Sequence, residues 1–184
     1  AAAPREPRVK PGPVALLARV AGMAASDEAP GLGSTAHTLA VRDDGTVWAW
    51  GDNDLGQAGH GGAASDRPAQ VPGLTGVAFV EAGWKFLLAL KADGTVWAWG
   101  HNAAGQLGDG GVVGRGTPAP VAGLKDVTLV RAGRRHALAL GRDGRVWAWG
   151  ANDFGQLGLP PHPAPTRHAD LWVATPAAVP GLAG

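Results

Sequence analysis

The pentapeptide Val-Trp-Ala-Trp-Gly occurs three times in this chain of 184 residues, at Val47–Gly51, Val96–Gly100 and Val146–Gly150. Successive copies start 49 and 50 residues apart (96 − 47 and 146 − 96). A period of this length is typical of repeat architectures, in which each unit buries its apolar face only against its neighbours. The recurring residues are therefore expected to build the scaffold, and the residues that differ between units to carry function.

Other segments recur with the same period. A second strand and an Asp-Gly pair precede each pentapeptide: His37–Val41 with Asp44-Gly45, Phe86–Leu90 with Asp93-Gly94, and His136–Leu140 with Asp143-Gly144. Asp-Gly between two alternating apolar runs predicts a two-residue hairpin turn, with positive φ at Gly94 in the second unit. Aligning Ala21-Gly22 with Ala82-Gly83 and Ala132-Gly133 places the first strand of the first unit near Leu16–Arg19.

A glycine-rich segment follows each pentapeptide. In the second and third units it ends in Gly-Gln-Leu-Gly, at Gly105–Gly108 and Gly155–Gly158. It lacks the Lys-Ser/Thr pair and the following helix of a phosphate-binding loop. We interpret it as a turn held by Asn and Gln side chains. The Asp residues of the hairpins are likewise explained by turn chemistry rather than by catalysis.

These motifs, recurring together in one order over almost the whole chain, resemble the regulator of chromosome condensation repeat family. The resemblance implies an all-β fold, a β-propeller of four-stranded antiparallel blades. About three blades are expected, as a partial propeller or a ring completed by oligomerisation. We predict one repeat domain, 1–184, with approximate units 11–71, 72–121 and 122–184. The chain departs from the family in having three units and in placing Phe86 where the other units have histidine.

The six tryptophans of the pentapeptides alternate with Val and Ala, so they share one face of each strand. In a propeller that bulky face packs against the small face of a neighbouring blade, which favours a scaffold role over an aromatic ligand-binding surface. His37 and His136, at equivalent positions, are interpreted as buried histidines rather than metal ligands.

Trp84 lies outside the scaffold pattern. Gly83-Trp84-Lys85-Phe86 is similar to a segment of the family's plant ultraviolet-B photoreceptor, but the other units have Thr35 and Arg134 at this position, and one tryptophan does not make a coupled cluster. Trp84 with Arg134 and Arg135 is instead predicted to mark a partner-binding face, because Trp and Arg are enriched at interface hot spots.

Two insertions distinguish the units. The first unit is predicted to carry one at 25–36, and the third an expanded loop at 159–172 that contains Arg167, His168 and Trp172. These three residues complete the candidate partner-binding set, since insertions in repeat proteins often map to the binding face. A tolerated surface insertion is the alternative reading, and a weak metal site at His162 and His168 is a further one.

The composition narrows the function classes. A formal net charge of +1 argues against nucleic-acid binding, and no apolar run is long enough to span a membrane. The sequence contains no cysteine and shows no metal-ligand cluster, nucleophile–base pair or cofactor motif. Cytoplasmic and exported locations both fit. The richness in Ala, Gly, Pro and Arg suggests a bacterial source.

We therefore predict that the chain is not an enzyme but a protein–protein interaction scaffold. The alternative is a self-assembling structural unit, since open flanks favour a homo-oligomer or a longer propeller. The family also includes an exchange factor for the GTPase Ran and a secreted β-lactamase inhibitor. Those roles rank below the first two, because no partner-contacting loop of either can be matched here.

Overall fold

The computed structural model describes residues 17–26, 36–160 and 172–182, which form three four-stranded antiparallel sheets and no helix. The first blade contains β1 (Val20–Ala25), β2 (His37–Arg42), β3 (Val47–Gly51) and β4 (Ser65–Gln70). The second contains β5 (Val77–Ala82), β6 (Phe86–Lys91), β7 (Val96–Gly100) and β8 (Arg115–Pro120). The third contains β9 (Val127–Ala132), β10 (His136–Gly141), β11 (Val146–Ala151) and β12 (Trp172–Ala178).

The predicted fold class is confirmed: the chain is all-β, and its sheets are propeller blades in which consecutive strands are neighbours. The outermost strand of each blade contains a proline, Pro68, Pro118 or Pro176. Proline donates no ladder hydrogen bond, and a strand at the edge of a sheet tolerates this loss. No described segment is a helix long and apolar enough to cross a membrane.

The core lies between blades. Each interface joins the small-residue face of one pentapeptide strand to the tryptophan face of the next. The first apolar cluster contains Val47, Ala49, Trp97 and Trp99. The second contains Val96, Ala98, Trp147 and Trp149. Trp99 and Trp149 are fully buried, which agrees with the scaffold role predicted for these residues.

The hairpin between β6 and β7 differs from the prediction. Gly94 has φ of +80°, as expected, but Asp93 does not have positive φ. The Gly94 N–H bonds the Lys91 carbonyl at 3.0 Å, and the Lys91 N–H bonds the Thr95 carbonyl at 2.9 Å. The loop therefore contains three residues, a type I turn followed by a glycine bulge, rather than two.

The hairpin aspartate stabilises the turn through its side chain. Asp93 Oδ1 accepts hydrogen bonds from the Thr95 backbone N–H at 2.9 Å and the Thr95 hydroxyl at 2.6 Å. These bonds hold the pKa of the exposed Asp93 carboxyl below its usual value. Asp44 and Thr46 repeat the arrangement in the first blade. Turn chemistry accounts for these carboxylates, as the sequence indicated.

The strand predicted near Leu16–Arg19 is wrong, because the true first strand, β1, begins at Val20. Ala25 pairs with Thr38 as Ala82 pairs with Leu87, so Ser26 occupies the position of Gly83. Ala21-Gly22 has the same two residues as Ala82-Gly83 but does not occupy the equivalent position. Ala25 is thus a strand residue, and the extra residues of this blade follow Ser26. The limits of the three predicted units stay predictions.

Candidate partner-binding face

The turns between the first and second strands of the blades position the candidate residues. In the second blade the Gly83 N–H bonds the Phe86 carbonyl at 2.9 Å, and Gly133 and His136 repeat this bond in the third. A Cβ on Gly83 would lie 1.9 Å from the Phe86 ring, so only glycine fits under that ring. The two residues between, Trp84-Lys85 and Arg134-Arg135, are held at the end of the blade.

Trp84 lies where the second and third blades meet. Its backbone N–H donates to the Arg134 carbonyl at 2.9 Å, and the Arg134 guanidinium lies 5.5 Å from the centroid of its indole. The Lys85 ammonium is 5.9 Å from the same indole. The His101 ring meets it edge to face, with ring centroids 5.2 Å apart. We call Trp84, Lys85, His101 and Arg134 the basic aromatic patch. Cations over an indole face are attracted to its π electrons.

The cations of this region differ in their partners. Lys85 Nζ lies 3.5 Å from Asp52 Oδ2 in the first blade, and both side chains are largely buried. Arg135 contacts Asp153 Oδ2 at 2.9 Å within its own blade. Arg134 is exposed, and no carboxylate of the described residues lies within salt-bridge distance of it. The patch therefore retains uncompensated positive charge at Arg134.

His101 contributes a neutral ring. Burial lowers the pKa of His101, and the positive charges of Arg135 and Lys85 lower it further. Its Nδ1 lies 2.8 Å from the Gln106 side-chain amide nitrogen, which donates to the unprotonated ring nitrogen. His101 is therefore mainly neutral at pH 7, and the charge of the patch comes from its lysine and arginine.

The structure brings together two of the predicted site residues, Trp84 and Arg134. Arg135 is paired with Asp153, and both Arg134 and Arg135 line a neighbouring cleft of about 300 Å³ with Phe154. The sequence analysis predicted that Trp172 lies in a loop, and the structure places it in a strand instead. It begins β12, pairs with Ala151 and is half-buried. Arg167 and His168 lie outside the described residues.

Sequence reasoning missed two members of the patch. Lys85 is adjacent to Trp84 in the chain, so the signal was present. His101 follows a pentapeptide at a position where the other units have Asp52 and Ala151. That difference between units was the available signal for His101. Its proximity to Trp84 depends on the stacking of one blade on the next.

The glycine-rich segments are turns held by Asn and Gln, as predicted. In the second blade the Gln106 side-chain oxygen accepts from the Ala104 N–H, and the Asn102 oxygen accepts from the Leu107 N–H, both at 2.9 Å. Gln57 and Gln156 make the corresponding bonds in the other blades. Within the described residues no group of three or more His, Asp or Glu side chains is placed to hold a metal ion.

Family models agree with the repeat pattern. Two models described as regulator of chromosome condensation (RCC1) repeat match the chain, one over residues 93–140 and 143–184, and the other over 33–57, 77–106 and 127–156. Together these matches cover well over half of the sequence. The chain belongs to the RCC1 repeat family. One matched RCC1 repeat, 93–140, runs from the hairpin of the second blade to the second strand of the third, so it spans an interface between blades.

Curated relatives match over about one repeat. Human E3 ubiquitin-protein ligase HERC2 is 46% identical over 54 residues, which are 28% of this chain and 1% of HERC2. The Protein RCC2 homolog of Xenopus laevis is 44% identical over 48 residues, 26% of this chain and 9% of that protein. This chain therefore corresponds to a small part of either relative.

Solved structures match over most of the chain. Yeast RCC1 (Prp20), crystallised with Kap60, superimposes with a TM-score of 0.67 and 26% identity over 79% of this chain and 36% of that one. Prp20p of Saccharomyces cerevisiae gives a TM-score of 0.64 at 26% identity, covering 79% and 37%. Human WBSCR16 gives 0.63 at 27% identity, covering 77% and 36%. The three described blades thus span about a third of each of these RCC1-like chains.

Proposed function

We propose that this chain is a non-catalytic protein-interaction scaffold whose partner docks on the basic aromatic patch. The observation that carries the proposal is the half-buried Trp84 indole, which has Lys85 of its own blade and Arg134 of the next blade both within 6 Å of its centroid. Because Arg134 has no carboxylate partner in the described part of the chain, the patch fits an acidic segment of another protein.

The energetics of docking favour this patch. Lys85 and the Trp84 backbone are already held by bonds to the first and third blades, so little conformational entropy is lost when a partner binds. Trp and Arg are also the residue types most often found at interface hot spots. Positive charge at Arg134 would speed the encounter with an acidic partner and make its rate depend on salt.

The structural neighbours support a protein partner. Yeast RCC1 (Prp20) is seen bound to Kap60, and Prp20p is described by its binding to Gsp1p and histones. These partners are those of the yeast proteins. For this chain they support only the general proposal that an RCC1-type propeller binds another protein. Exchange-factor and β-lactamase-inhibitor roles stay ranked below this one, because the sequence offers no partner-contacting loop that can be matched to either.

The experiment uses a photoreactive amino acid at position 154, an exposed residue that shares a cleft with Arg134 and leaves the patch intact, and, as a control, at position 145 in a hairpin at the opposite end of the blades. We expect cross-linking to a protein from position 154, competed by the wild-type chain but not by Arg134→Glu. Equal competition by R134E, or cross-linking from position 145 alone, contradicts the proposal.

We propose as a second function that the chain supplies blades to a larger ring. The observation that favours it is the unequal burial of equivalent residues. Leu39 and Leu88 are fully buried between blades, whereas Leu138, at the same position in the third blade, is partly exposed. Exposed apolar faces of this kind are typical of assembly surfaces. Measuring the solution mass of the isolated chain tests whether copies associate.

A further inference from the structure

The hairpin end of the second blade holds an ammonium group against a tryptophan. The Lys91 Nζ atom lies 5.4 Å from the centroid of the Trp97 indole and 3.8 Å from Asp93 Oδ2. An indole face attracts a cation, and a nearby carboxylate adds to this attraction. The chain therefore contains one complete example of a lysine bound between the first tryptophan of a pentapeptide and the aspartate of the same hairpin.

The third blade has the same tryptophan and aspartate but not the lysine. Trp147 and Asp143 occupy the equivalent positions. Gly141 stands at the lysine position, since both residues pair with the valine that begins the first strand of their blade. Trp147 and Asp143 line a cleft of about 430 Å³. Trp147 packs against the apolar cluster between the second and third blades, so the cleft lies at an interface inside the chain.

The cleft has a second carboxylate that the second blade lacks. Asp126 lines it and stands at the position of Gly76, just before the first strand of the blade. A Cβ on Gly76 would lie 3.6 Å from Lys91 Cε, so the Asp126 side chain begins beside the place of an ammonium. No lysine or arginine of the described residues lies within salt-bridge distance of Asp126. Its negative charge is therefore available to a ligand.

The indole N–H of Trp147 also differs from its counterpart. Trp97 Nε1 donates to the Thr95 hydroxyl at 3.3 Å, and the first blade repeats this bond. Arg145 replaces the threonine in the third blade, and Trp147 Nε1 makes no hydrogen bond within the described parts of the chain. Trp147 is partly exposed. Its indole N–H is therefore a sensitive reporter of a ligand that enters the cleft.

Two cations line the same cleft. Lys125 and Arg142 are exposed, and neither has a carboxylate of the described residues within salt-bridge distance. Their charges disfavour an isolated cation in the cleft and favour negative charge next to it. Arg145 lies 3.6 Å from Asp143, but both side chains are mostly exposed, so this pair is weak and a ligand can displace it. The cleft thus suits a ligand that carries an ammonium group beside negative charge.

We propose that this cleft binds a lysine side chain of a partner protein, at a lysine flanked by acidic residues. The ammonium lies over the Trp147 indole beside Asp143 and Asp126, as its internal counterpart does in the second blade. The acidic neighbours of the bound lysine meet Lys125 and Arg142. The cleft is at the opposite end of the blades from the basic aromatic patch, so this inference is independent of both proposed functions.

The probe is the capped tripeptide Asp-Lys-Asp, and the readout is the NMR signal of the Trp147 indole N–H, which Trp147→Phe assigns. We expect millimolar peptide to shift this signal saturably and to leave the other indole signals in place. The same peptide with norleucine for lysine keeps the alkyl chain without the ammonium, and it should bind about threefold or more weakly. The tripeptide Ala-Lys-Ala should also bind more weakly, because it lacks the charges that meet Lys125 and Arg142.

Asp126→Asn tests the added carboxylate. Asparagine tolerates the φ of +51° at this position, so the variant should fold like the wild type and bind Asp-Lys-Asp about threefold more weakly. Asp54→Asn is the matched control, since Asp54 is exposed at the other end of the blades, and it should bind like the wild type. Equal binding of the lysine and norleucine peptides would mean that the cleft takes acidic residues and would overturn the proposal. An unmoved Trp147 signal, or equal weakening in D126N and D54N, would also overturn it.

Discussion

The indole Nε1 of Trp99 donates a 2.9 Å hydrogen bond to the backbone carbonyl of Gln57, which lies 42 residues earlier in another blade. Both residues are fully buried. The bond satisfies the one polar group of a large aromatic side chain and, at the same time, a carbonyl of the glycine-rich turn. Tryptophan at this position therefore fills the interface and fixes how one blade is seated on the next.

Replacing this indole tests the scaffold role. We expect Trp99→Ala to lower the free energy of unfolding by roughly 3–5 kcal/mol, because it empties a buried aromatic site. Denaturant titration measures the change. Phe154→Ala is the control, since Phe154 is 94% exposed, and its effect should stay within about 0.5 kcal/mol. Wild-type stability for W99A would mean that the tryptophan is not part of the scaffold.

The hairpin glycine is open to a similar test. Gly94 has φ of +80°, and a Cβ would lie 3.0 Å from the Asp126 backbone of the next blade. We expect Gly94→Val to cost about 3 kcal/mol or more, from backbone strain and from the clash together. Gly73→Val has similar strain, but none of the described residues lies within 4 Å of the added Cβ, so it should cost about 1–3 kcal/mol. Equal costs for the two variants would exclude a contribution from the blade contact.

The Lys85–Asp52 pair joins the first two blades from inside the protein, with side chains 12% and 8% exposed. Asp52→Ala leaves the ammonium without its carboxylate, and we expect a loss of about 3–5 kcal/mol in unfolding free energy. Asp43→Ala removes the partner of Arg19 on the surface and should cost about 1 kcal/mol or less. Comparable losses in the two variants would show that the buried pair contributes no more to stability than the surface pair does.

Stability should depend on pH through the histidines of the blade ends. Burial lowers the pKa of both His101 and His136 below the ordinary value of 6.5. Below about pH 6.5 the unfolded chain therefore binds more protons than the folded chain, so stability decreases as the pH falls. His101→Gln removes one of the two groups and should flatten, but not abolish, this decrease between about pH 7.5 and about pH 5.5. Urea unfolding at the two pH values measures it, and an unchanged slope in H101Q would contradict the role of His101.

Much of the fold could be predicted from the sequence because local and long-range signals agreed. The alternation of Trp with Val and Ala predicted which face of each strand is bulky, and packing of unlike faces followed from that pattern. The hairpin loop was predicted one residue too short, because Asp-Gly suits both turn types and the hydrogen bond from Gly94 to Lys91 decides between them. Ser26 hid the alignment of the first blade, since its hydroxyl bonds His37 Nδ1 where other blades have glycine.

The site was harder to predict for a physical reason. Trp84 and Arg134 stood out because they differ from their repeat equivalents, and the structure places them together. The proximity of His101 and the Asp52 partner of Lys85 depend on the angle and the offset between blades. Those quantities are set by side-chain packing rather than by any motif. Sequence periodicity fixes which residues are equivalent, but not which of them meet across an interface.

The order of the carbonyl acceptor and its tryptophan along the chain also bears on how the protein folds during translation. In both interfaces the acceptor carbonyl precedes its tryptophan, by 42 residues in one and 43 in the other. A ribosome adds about 5–20 residues per second, so each acceptor waits roughly 2–8 s for its partner. Each finished blade is thus a preformed surface on which the next can fold as it emerges. We expect the protein to assemble blade by blade in the order of translation.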